Sequence, residues 1–221
     1  MSDIRLQKIY IEAVRLFNTK GYISTRVSEI AEAAGVATGT MYNLFSGKEA
    51  ILSFIIQATL DKDWLKQDMK LPITQVDMAI LQNSLQKVLV EIQASIMEIR
   101  DEEGRIWKSS SAFISGIFDM CADYLLAFNI IETNAGVLEE LWQDFLSART
   151  KFYEKLEENL KCYIEDGQIR QIDYLPLHVE NIIHILAWWS VNSYMSMPQI
   201  AVTREVAKEI GVGMIVRAYG N

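Results

Sequence analysis

Hydroxyl-bearing and small side chains are concentrated in the stretch ATGTMYN, residues 37–43. Thr38, Gly39 and Thr40 stand at the start of a short helical pattern, where they add almost nothing to a core. Hydroxyl groups donate hydrogen bonds to phosphate oxygens and base edges, and a glycine lets a helix end approach another backbone closely. The free N–H groups at a helix N-terminus also attract anions. The stretch therefore predicts a surface that contacts phosphate groups.

Residues suited to catalysis or metal binding do not gather in this sequence. The two histidines, His178 and His184, are six positions apart and so do not share a helix face. Glu180 and His184 are separated by four positions rather than the three of a di-iron helix motif. No glycine-rich phosphate loop or Gly-x-Ser-x-Gly turn is present. We therefore expect no enzyme activity, no metal site and no cofactor, and we interpret His184 as a core or interface residue.

The elements that position residues 37–43 are predicted to be helices throughout the chain. Half of the 221 residues are hydrophobic, which is enough for a sizeable core, and only three are proline. No sustained alternation of apolar and polar residues indicates a strand. The sequence thus predicts an all-α protein with helices at 3–20, 27–34, 38–44, 48–70, 74–100, 105–130 with a break near Gly116, 136–165, 176–197 and 203–219.

A tight turn at Gly35 and Val36 separates the two short helices at 27–34 and 38–44. Two short helices joined in this way, with a third helix before them, are typical of a helix-turn-helix unit, whose second helix enters the major groove of DNA. Residues 1–47 are therefore predicted to form a DNA-binding domain. Residues 48–221 are predicted to form a second, larger helical domain.

The charge of the chain is unevenly distributed. A net charge of −8 and an isoelectric point near 4.9 argue against nucleic acid as a partner when the chain is taken as a whole. Residues 1–50, however, contain six basic and five acidic residues and carry a net charge of +1, so the acidity lies downstream. The N-terminal segment is thus compatible with DNA, although such a small charge predicts weak nonspecific affinity.

The chain is expected to be cytoplasmic. No apolar run reaches the roughly 18 to 20 residues that span a bilayer. The first ten residues also lack the order of charged and then apolar residues that marks a signal peptide. We therefore expect no membrane partner. Cys121 and Cys162 lie far apart in apolar helical patterns, and we expect reduced core thiols rather than a disulfide.

The last two predicted helices carry apolar residues on more than one face. A helix on the surface of a monomer shows a single apolar stripe, so two faces must be buried here. One explanation is that these helices are central to a monomeric core. A homodimer fits better, because both helices are terminal and consecutive and could form a four-helix interface with their symmetry mates. The residues predicted for this interface are Ile182, Ile185, Trp188, Trp189, Val206, Ile210 and Met214.

Residues 16–52 resemble the signature of the TetR (tetracycline-repressor-like) family of bacterial transcriptional regulators. The resemblance rests on many positions at fixed spacing and covers about 50 residues of the chain when the first helix is included. The positions that carry it are Phe17, Gly21, Tyr22, Thr25, Val27, Ile30, Ala31, Ala34, Gly35, Val36, Gly39, Thr40, Tyr42, Phe45, Lys48 and Glu49.

The resemblance implies which residues contact DNA. The start of the first motif helix would lie close to phosphate, the second helix would face the groove, and a lysine at the head of the next helix would neutralise a phosphate. The residues so identified are Thr25, Arg26, Ser28, Ala37, Thr38, Gly39, Thr40, Tyr42, Asn43 and Lys48. Two positions depart from the family pattern: Leu44 replaces a usual tyrosine or histidine, and Thr38 replaces an often basic residue. Both weaken the expected attraction to phosphate.

The resemblance further implies that residues 48–221 bind a small effector and form a homodimer. The chain would then be a repressor that leaves a palindromic operator when the effector binds. Because the predicted helix at 48–70 joins the DNA-binding unit to the larger domain, we expect its tilt to transmit the signal. Large or soft apolar side chains suit an apolar or aromatic effector. The residues expected to line its pocket are Trp64, Met97, Trp107, Phe113, Met120, Tyr124, Phe128, Trp142 and Phe145. An alternative is that the same fold acts mainly through a protein partner, with DNA binding lost or auxiliary.

Overall fold

The computed structural model describes residues 4–192 and 202–221, and within those ranges the chain is helical with no strand. This confirms the predicted all-α fold. A 3-10 turn covers Trp64–Lys66, and π-helical turns cover Gln93–Met97 and Trp188–Asn192. The α-helices are α1 (Ile4–Lys20), α2 (Val27–Ala33), α3 (Thr38–Leu44), α4 (Lys48–Leu60), α5 (Met78–Ile92), α6 (Ser110–Thr133), α7 (Glu139–Glu165), α8 (Leu175–Ala187) and α9 (Arg204–Tyr219).

The chain divides into two compact units. The first comprises Met1–Val88 and Leu126–Leu146, and the second comprises Leu89–Leu125 and Ser147–Asn221. The helix-turn-helix segment thus shares its unit with α4, most of α5, the end of α6 and the start of α7. The predicted domain boundary between residues 47 and 48 stays a prediction.

Helix α4 is the central element of the first unit. Every residue from Ala50 to Leu60 is buried, as expected of a helix that is apolar around its whole circumference. Its buried hydroxyls have partners: Ser53 Oγ accepts a hydrogen bond from the Val76 N–H at 2.9 Å, and Thr59 Oγ1 lies 2.9 Å from the Tyr10 hydroxyl of α1. Helix α4 is therefore hydrogen-bonded both to α1 and to the segment that precedes α5.

Helix α4 ends at Leu60, and the prediction of a helix as far as residue 70 was wrong. Beyond the 3-10 turn the chain returns to the end of α3. The Ile73 N–H donates to the Leu44 carbonyl at 2.7 Å, and the Ser46 N–H donates to the Ile73 carbonyl at 2.9 Å. These long-range bonds replace helical ones, and nothing in the local composition of residues 61–70 reveals them.

The predicted helix at 74–100 is also wrong at both ends, because α5 covers Met78–Ile92 and continues only as a π-helical turn. Side chains from elsewhere in the second unit bind the carbonyl groups of that turn. Lys108 Nζ donates to the Ser95 carbonyl at 2.5 Å and to the Ile96 carbonyl at 3.0 Å. Asn159 Nδ2 donates to the Met97 carbonyl at 2.8 Å.

Helix α6 runs through Gly116 without the predicted break. Among the described residues it is the one helix whose length and hydropathy would allow it to cross a membrane. In its most apolar stretch of 18 residues, 56% is buried inside the structure. This corrects the expectation that no segment of the chain has that length and hydropathy. The core helix of a soluble protein meets the same criteria.

Helices α8 and α9 each bury one face within the second unit. Val179, Ile182 and Leu186 are buried on α8, and α9 buries Ala207 and Ile215. The predicted helix at 176–197 ends as an α-helix at Ala187, and its last residues lie outside the described part of the chain. The first turn of α9 is tied to α6 by ion pairs from Arg204 to Asp119 and Asp123 and from Lys208 to Asp119.

Candidate nucleic-acid interface

Helices α2 and α3 are joined by the tight turn that the sequence predicts. Gly35 has φ +67°, a left-handed conformation that glycine adopts without strain, and the Val36 N–H donates to the Ala31 carbonyl at 2.9 Å. The inward faces of the two helices are packed, with Ile30 and Met41 no more than 1% exposed. The opposite faces of these short helices therefore point to the surface.

The surface of α3 carries the side chains that were singled out for chemistry. Tyr42 is 58% exposed and Asn43 is exposed, while Thr40 is half-buried. At the start of the helix Ala37, Thr38 and Gly39 are exposed, and a Cβ added at Gly39 would meet no atom within 4 Å. A polar, small-residue helix end of this kind presents its free N–H groups to an anion.

The start of α2 is fixed by a network of charged groups. The Glu29 carboxylate accepts hydrogen bonds from the Arg26 N–H and from Lys20 Nζ, both at 2.8 Å. These bonds, chiefly that from Lys20, hold the pKa of Glu29 below its usual value. Arg26 and Ser28 are exposed beside this network, as a phosphate contact requires.

Thr25 does not fit the contact set implied by the sequence. Its side chain is 1% exposed, and its hydroxyl donates to the Gly21 carbonyl at 2.8 Å. A hydroxyl used in this way closes the turn between α1 and α2 and is out of reach of a phosphate. The Thr25 hydroxyl is therefore not available to a phosphate, and a DNA contact at this residue stays a prediction.

Lys48 is held against the same turn. Its Nζ donates to the Ile23 carbonyl at 3.3 Å and lies 4.2 Å from the centre of the Tyr22 ring. Partial burial lowers the pKa of the Lys48 ammonium. Burial, reinforced by the neighbouring Glu49 carboxylate, raises the pKa of Tyr22 to about 12. Lys48 thus fixes the geometry of the turn as well as presenting a positive charge at the head of α4.

Sequence reasoning missed a further contact to this turn. The Tyr22 N–H donates to Asn134 Oδ1 at 3.1 Å, and Asn134 follows the last residue of α6. No local pattern connects these two residues, which are far apart in the chain.

The residues predicted to line an effector pocket fall in both units. In the first, the Phe128 and Phe145 rings stack with centres 4.9 Å apart, and Trp142 lies 6.0 Å from Phe145. In the second, Trp107 is 60% exposed, which is not the environment expected of a pocket wall. The remaining candidates are buried or half-buried: Trp64, Met97, Phe113, Met120 and Tyr124.

The residues predicted for the dimer interface differ in their exposure within the single chain. Ile182 is 1% exposed and so belongs to the core of the second unit. Trp188, Val206 and Met214 are 38%, 43% and 44% exposed. Ile185, Trp189 and Ile210 are half-buried. His184, interpreted as a core or interface residue, is exposed in the single chain.

Known proteins share both the N-terminal segment and the fold. Residues 9–53 match the family model of bacterial regulatory proteins, tetR family. Over 61 residues the chain is 39% identical to the uncharacterized HTH-type transcriptional regulator YuxN of Bacillus subtilis (strain 168). That alignment spans 27% of this chain and 21% of YuxN.

Two solved structures resemble the chain over nearly its whole length. The TetR family transcriptional regulator PfmR from Thermus thermophilus is 22% identical, with a TM-score of 0.50 over 95% of this chain and 97% of PfmR. The ketosteroid transcriptional regulator KstR2 of Mycobacterium tuberculosis is 14% identical, with a TM-score of 0.52 over 100% of this chain and 97% of KstR2. Residues 9–53 thus match the DNA-binding segment of the tetR family of bacterial regulatory proteins, and the chain as a whole shares its fold with these two regulators.

Proposed function

We propose that the chain is a ligand-responsive repressor that binds a palindromic operator as a dimer and is released by a small, largely apolar effector. The observation that carries this proposal is the exposed face of α3. Its small residues at positions 37–39 and its hydroxyl and amide groups at Thr40, Tyr42 and Asn43 suit a helix that enters the major groove. Arg26 and Lys48 supply positive charge beside it.

The dimer is supported by exposed apolar side chains of α9 and of the π-helical turn that follows α8. Trp188 lies in that turn, Val206 and Met214 lie on α9, and each exposes more than a third of its surface. Large apolar side chains exposed together at a protein surface mark interaction surfaces. A two-fold dimer would present two copies of α3, and two such helices read half-sites roughly 34 to 36 Å apart.

The effector site is proposed from unsatisfied polar atoms and aromatic rings in the first unit. Gln57 Oε1 and Trp64 Nε1 are buried without a hydrogen-bond partner in the protein. Such atoms cost free energy unless a ligand or water supplies the missing bond. Gln57 Oε1 is an acceptor and Trp64 Nε1 is a donor, so a largely apolar molecule that carries both a donor and an acceptor matches the missing bonds. The stacked Phe128 and Phe145 rings, both buried, belong to the same unit.

Release from DNA is proposed to follow from linkage. An effector that binds more tightly to a form with wrongly spaced α3 helices shifts the population away from DNA, by no more than its differential affinity. Helix α4 connects the helix-turn-helix segment to the rest of the chain, so we propose its tilt as the movement. Crosslinking α4 to the segment before α5 through cysteines placed at Ser53 and Val76, where Ser53 Oγ lies 2.9 Å from the Val76 nitrogen, should abolish the response. An unchanged response would reject this route.

The decisive experiment measures binding of the purified full-length chain to the intergenic DNA beside its own gene at two salt concentrations. Specific binding should weaken steeply with salt, because each neutralised phosphate adds about 0.9 to the slope of log K against log salt. Thr40→Ala should weaken binding at both salts with little change in slope, and Lys48→Ala should reduce the slope. The matched control is Lys151→Ala, which removes an exposed lysine from α7.

The outcomes separate the two candidate functions. Tight binding that is lost in the α3 and α4 variants and retained in the control supports the repressor. If neither the neighbouring DNA nor a selection from genomic fragments yields a specific site, DNA binding is rejected. The fold would then act through a protein partner, for which Leu44 and the low charge of the N-terminal segment are the supporting features.

A further inference from the structure

A buried asparagine connects the end of α6 to the helix-turn-helix segment. Asn134 is 6% exposed and Tyr22 is 7% exposed, so their 3.1 Å hydrogen bond is shielded from water. The other end of the same amide donates from Nδ2 to the Ile130 carbonyl at 2.7 Å. The orientation of the amide is therefore fixed, because its oxygen meets an N–H group and its nitrogen meets a carbonyl.

The main chain of Asn134 shapes the turn between α6 and α7. Its carbonyl accepts hydrogen bonds from the Val137 N–H at 2.9 Å and from the Leu138 N–H at 3.0 Å. Leu138 is buried, which anchors the turn in the first unit. A displacement of the end of α6 must therefore carry Asn134 with it. The Tyr22 N–H then either follows or is left buried without a partner, which is unfavourable.

Tyr22 in turn contacts the residues proposed to meet DNA. Its ring lies beneath Lys48 Nζ, and Lys48 also bonds to the neighbouring Ile23 carbonyl. Its carbonyl accepts a hydrogen bond from the Thr25 N–H at 3.3 Å, next to the first residues of α2. A shift of the Tyr22 main chain thus moves the head of α4 and the start of α2 together.

We propose that Asn134 is a positioning residue, through which the turn between α6 and α7 sets the placement of the DNA-binding helices. This inference rests on the proposed function. Helix α4 connects the helix-turn-helix segment to the rest of the chain covalently, and the Asn134–Tyr22 hydrogen bond is a second, non-covalent connection to that segment. Coupling between two sites is reciprocal, so operator binding at α3 must alter the turn at residues 134–138. Without the Asn134 side chain, operator binding should alter the helix-turn-helix segment but not the turn at residues 134–138.

Hydrogen exchange of the full-length chain tests this, with and without operator DNA. Asn134→Ala removes both side-chain bonds, whereas Asn134→Asp keeps an oxygen facing the Tyr22 N–H. The matched control is Asn159→Ala, which removes another buried asparagine that bonds to a carbonyl of the second unit. Without DNA, Asn134→Ala should speed exchange at residues 22–28 about tenfold, and Asn134→Asp should restore most of the protection.

With operator DNA, exchange at residues 38–44 should slow in every variant. Exchange at residues 134–138 should slow in the wild type, in Asn134→Asp and in Asn159→Ala, but not in Asn134→Ala. The proposal is overturned if Asn134→Ala keeps that slowing, or if its effect without DNA is confined to residues 130–138. Failure of the proposed function looks different: residues 38–44 would then show no slowing with any DNA, while the measurements without DNA still decide the role of Asn134.

Discussion

At the scale of single residues, the same side-chain type serves different purposes at neighbouring positions. Thr25 and Thr40 both belong to the helix-turn-helix segment, but Thr25 is buried and bonds to the Gly21 carbonyl, while Thr40 lies on the half-exposed face of α3. A hydroxyl that already satisfies a buried carbonyl stabilises the fold, whereas one at the surface remains available to a partner. Residue type alone does not distinguish the two.

Replacing Thr25 by valine should therefore affect stability rather than phosphate contact. The substitution keeps the shape of the side chain and removes the hydrogen bond to the Gly21 carbonyl, at a cost of about 1 kcal/mol in the free energy of unfolding. Urea denaturation measures that loss. The salt dependence of DNA binding should keep its slope, because no phosphate contact is removed. A reduced slope at unchanged stability would contradict this interpretation.

Cys121 should make the protein sensitive to alkaline pH. Burial raises the pKa of its thiol from 9.0 to about 12, so the folded state keeps a proton that the unfolded state releases above pH 9. The contribution to stability is complete below pH 9 and is lost as the pH rises towards 12, with a slope of about 1.4 kcal/mol per pH unit.

Chemical denaturation at several pH values between 8 and 11 checks this for Cys121→Ala. The variant should be less stable at pH 8 and should lose less stability on the way to pH 11. The control is Ile117→Val in the same helix, which removes a buried methyl group and no titratable group. It should lower the free energy of unfolding by the same amount at every pH. If the free energy of unfolding falls with pH equally in Cys121→Ala and in the wild type, the Cys121 thiol is not the cause of the alkaline sensitivity.

At the scale of elements, side chains remote in sequence decide where helices stop. The π-helical turn after α5 ends where Lys108 and Asn159 bind its carbonyl groups. Lys108 is 9% exposed, and burial lowers the pKa of its ammonium. A buried lysine at this position acts as a cap for a helix C-terminus, where positive charge is favourable.

Replacing Lys108 by methionine should leave the Ser95 and Ile96 carbonyls without that donor. We expect a loss of about 2 kcal/mol in the free energy of unfolding, within the range for buried groups that lose a charged partner. Lys151→Met, which changes an exposed lysine of α7, should cost little. Thermal denaturation compares the two, and equal stability of the two variants would show that Lys108 has no capping role.

Sequence reasoning predicted the elements whose signals are local. The bounds of α3 were predicted correctly because Gly35 forces a turn before it and a short apolar pattern follows. The end of α4 was missed because Ile73 returns to Leu44, and residues 61–70 carry no strong breaker of their own. The same limit applies to the site: the exposed polar face of α3 follows from the pattern, whereas the burial of Thr25 and the Asn134 contact depend on tertiary packing.

At the scale of the whole molecule, charge is arranged to favour specific over nonspecific DNA binding. The first 50 residues carry +1 and the remaining residues carry −9, so most of the surface repels phosphate. In the proposed dimer, affinity would come from hydrogen bonds at two copies of α3 rather than from a basic surface. Such binding would depend strongly on dimerisation, because one copy alone has little charge with which to hold DNA.

The dimer can be tested by placing charges on its proposed interface. The double variant Trp188→Glu, Met214→Glu places two carboxylates on this surface. In the single chain Trp188 is 38% exposed and Met214 is 44% exposed. Because each side chain exposes more than a third of its surface, the variant should remain folded but become monomeric in sedimentation equilibrium. Trp107→Glu is the control, since Trp107 is 60% exposed but lies outside α8 and α9.

Loss of the dimer should carry through to DNA. The monomeric variant should bind a palindromic operator no better than a single half-site, because one α3 helix can occupy only one of the two grooves. A variant that stays dimeric, or a wild-type chain that is monomeric at micromolar concentration, would show that these exposed side chains serve another purpose. If dimerisation is lost and operator affinity is kept, the two-fold arrangement on DNA must form through other surfaces of the chain.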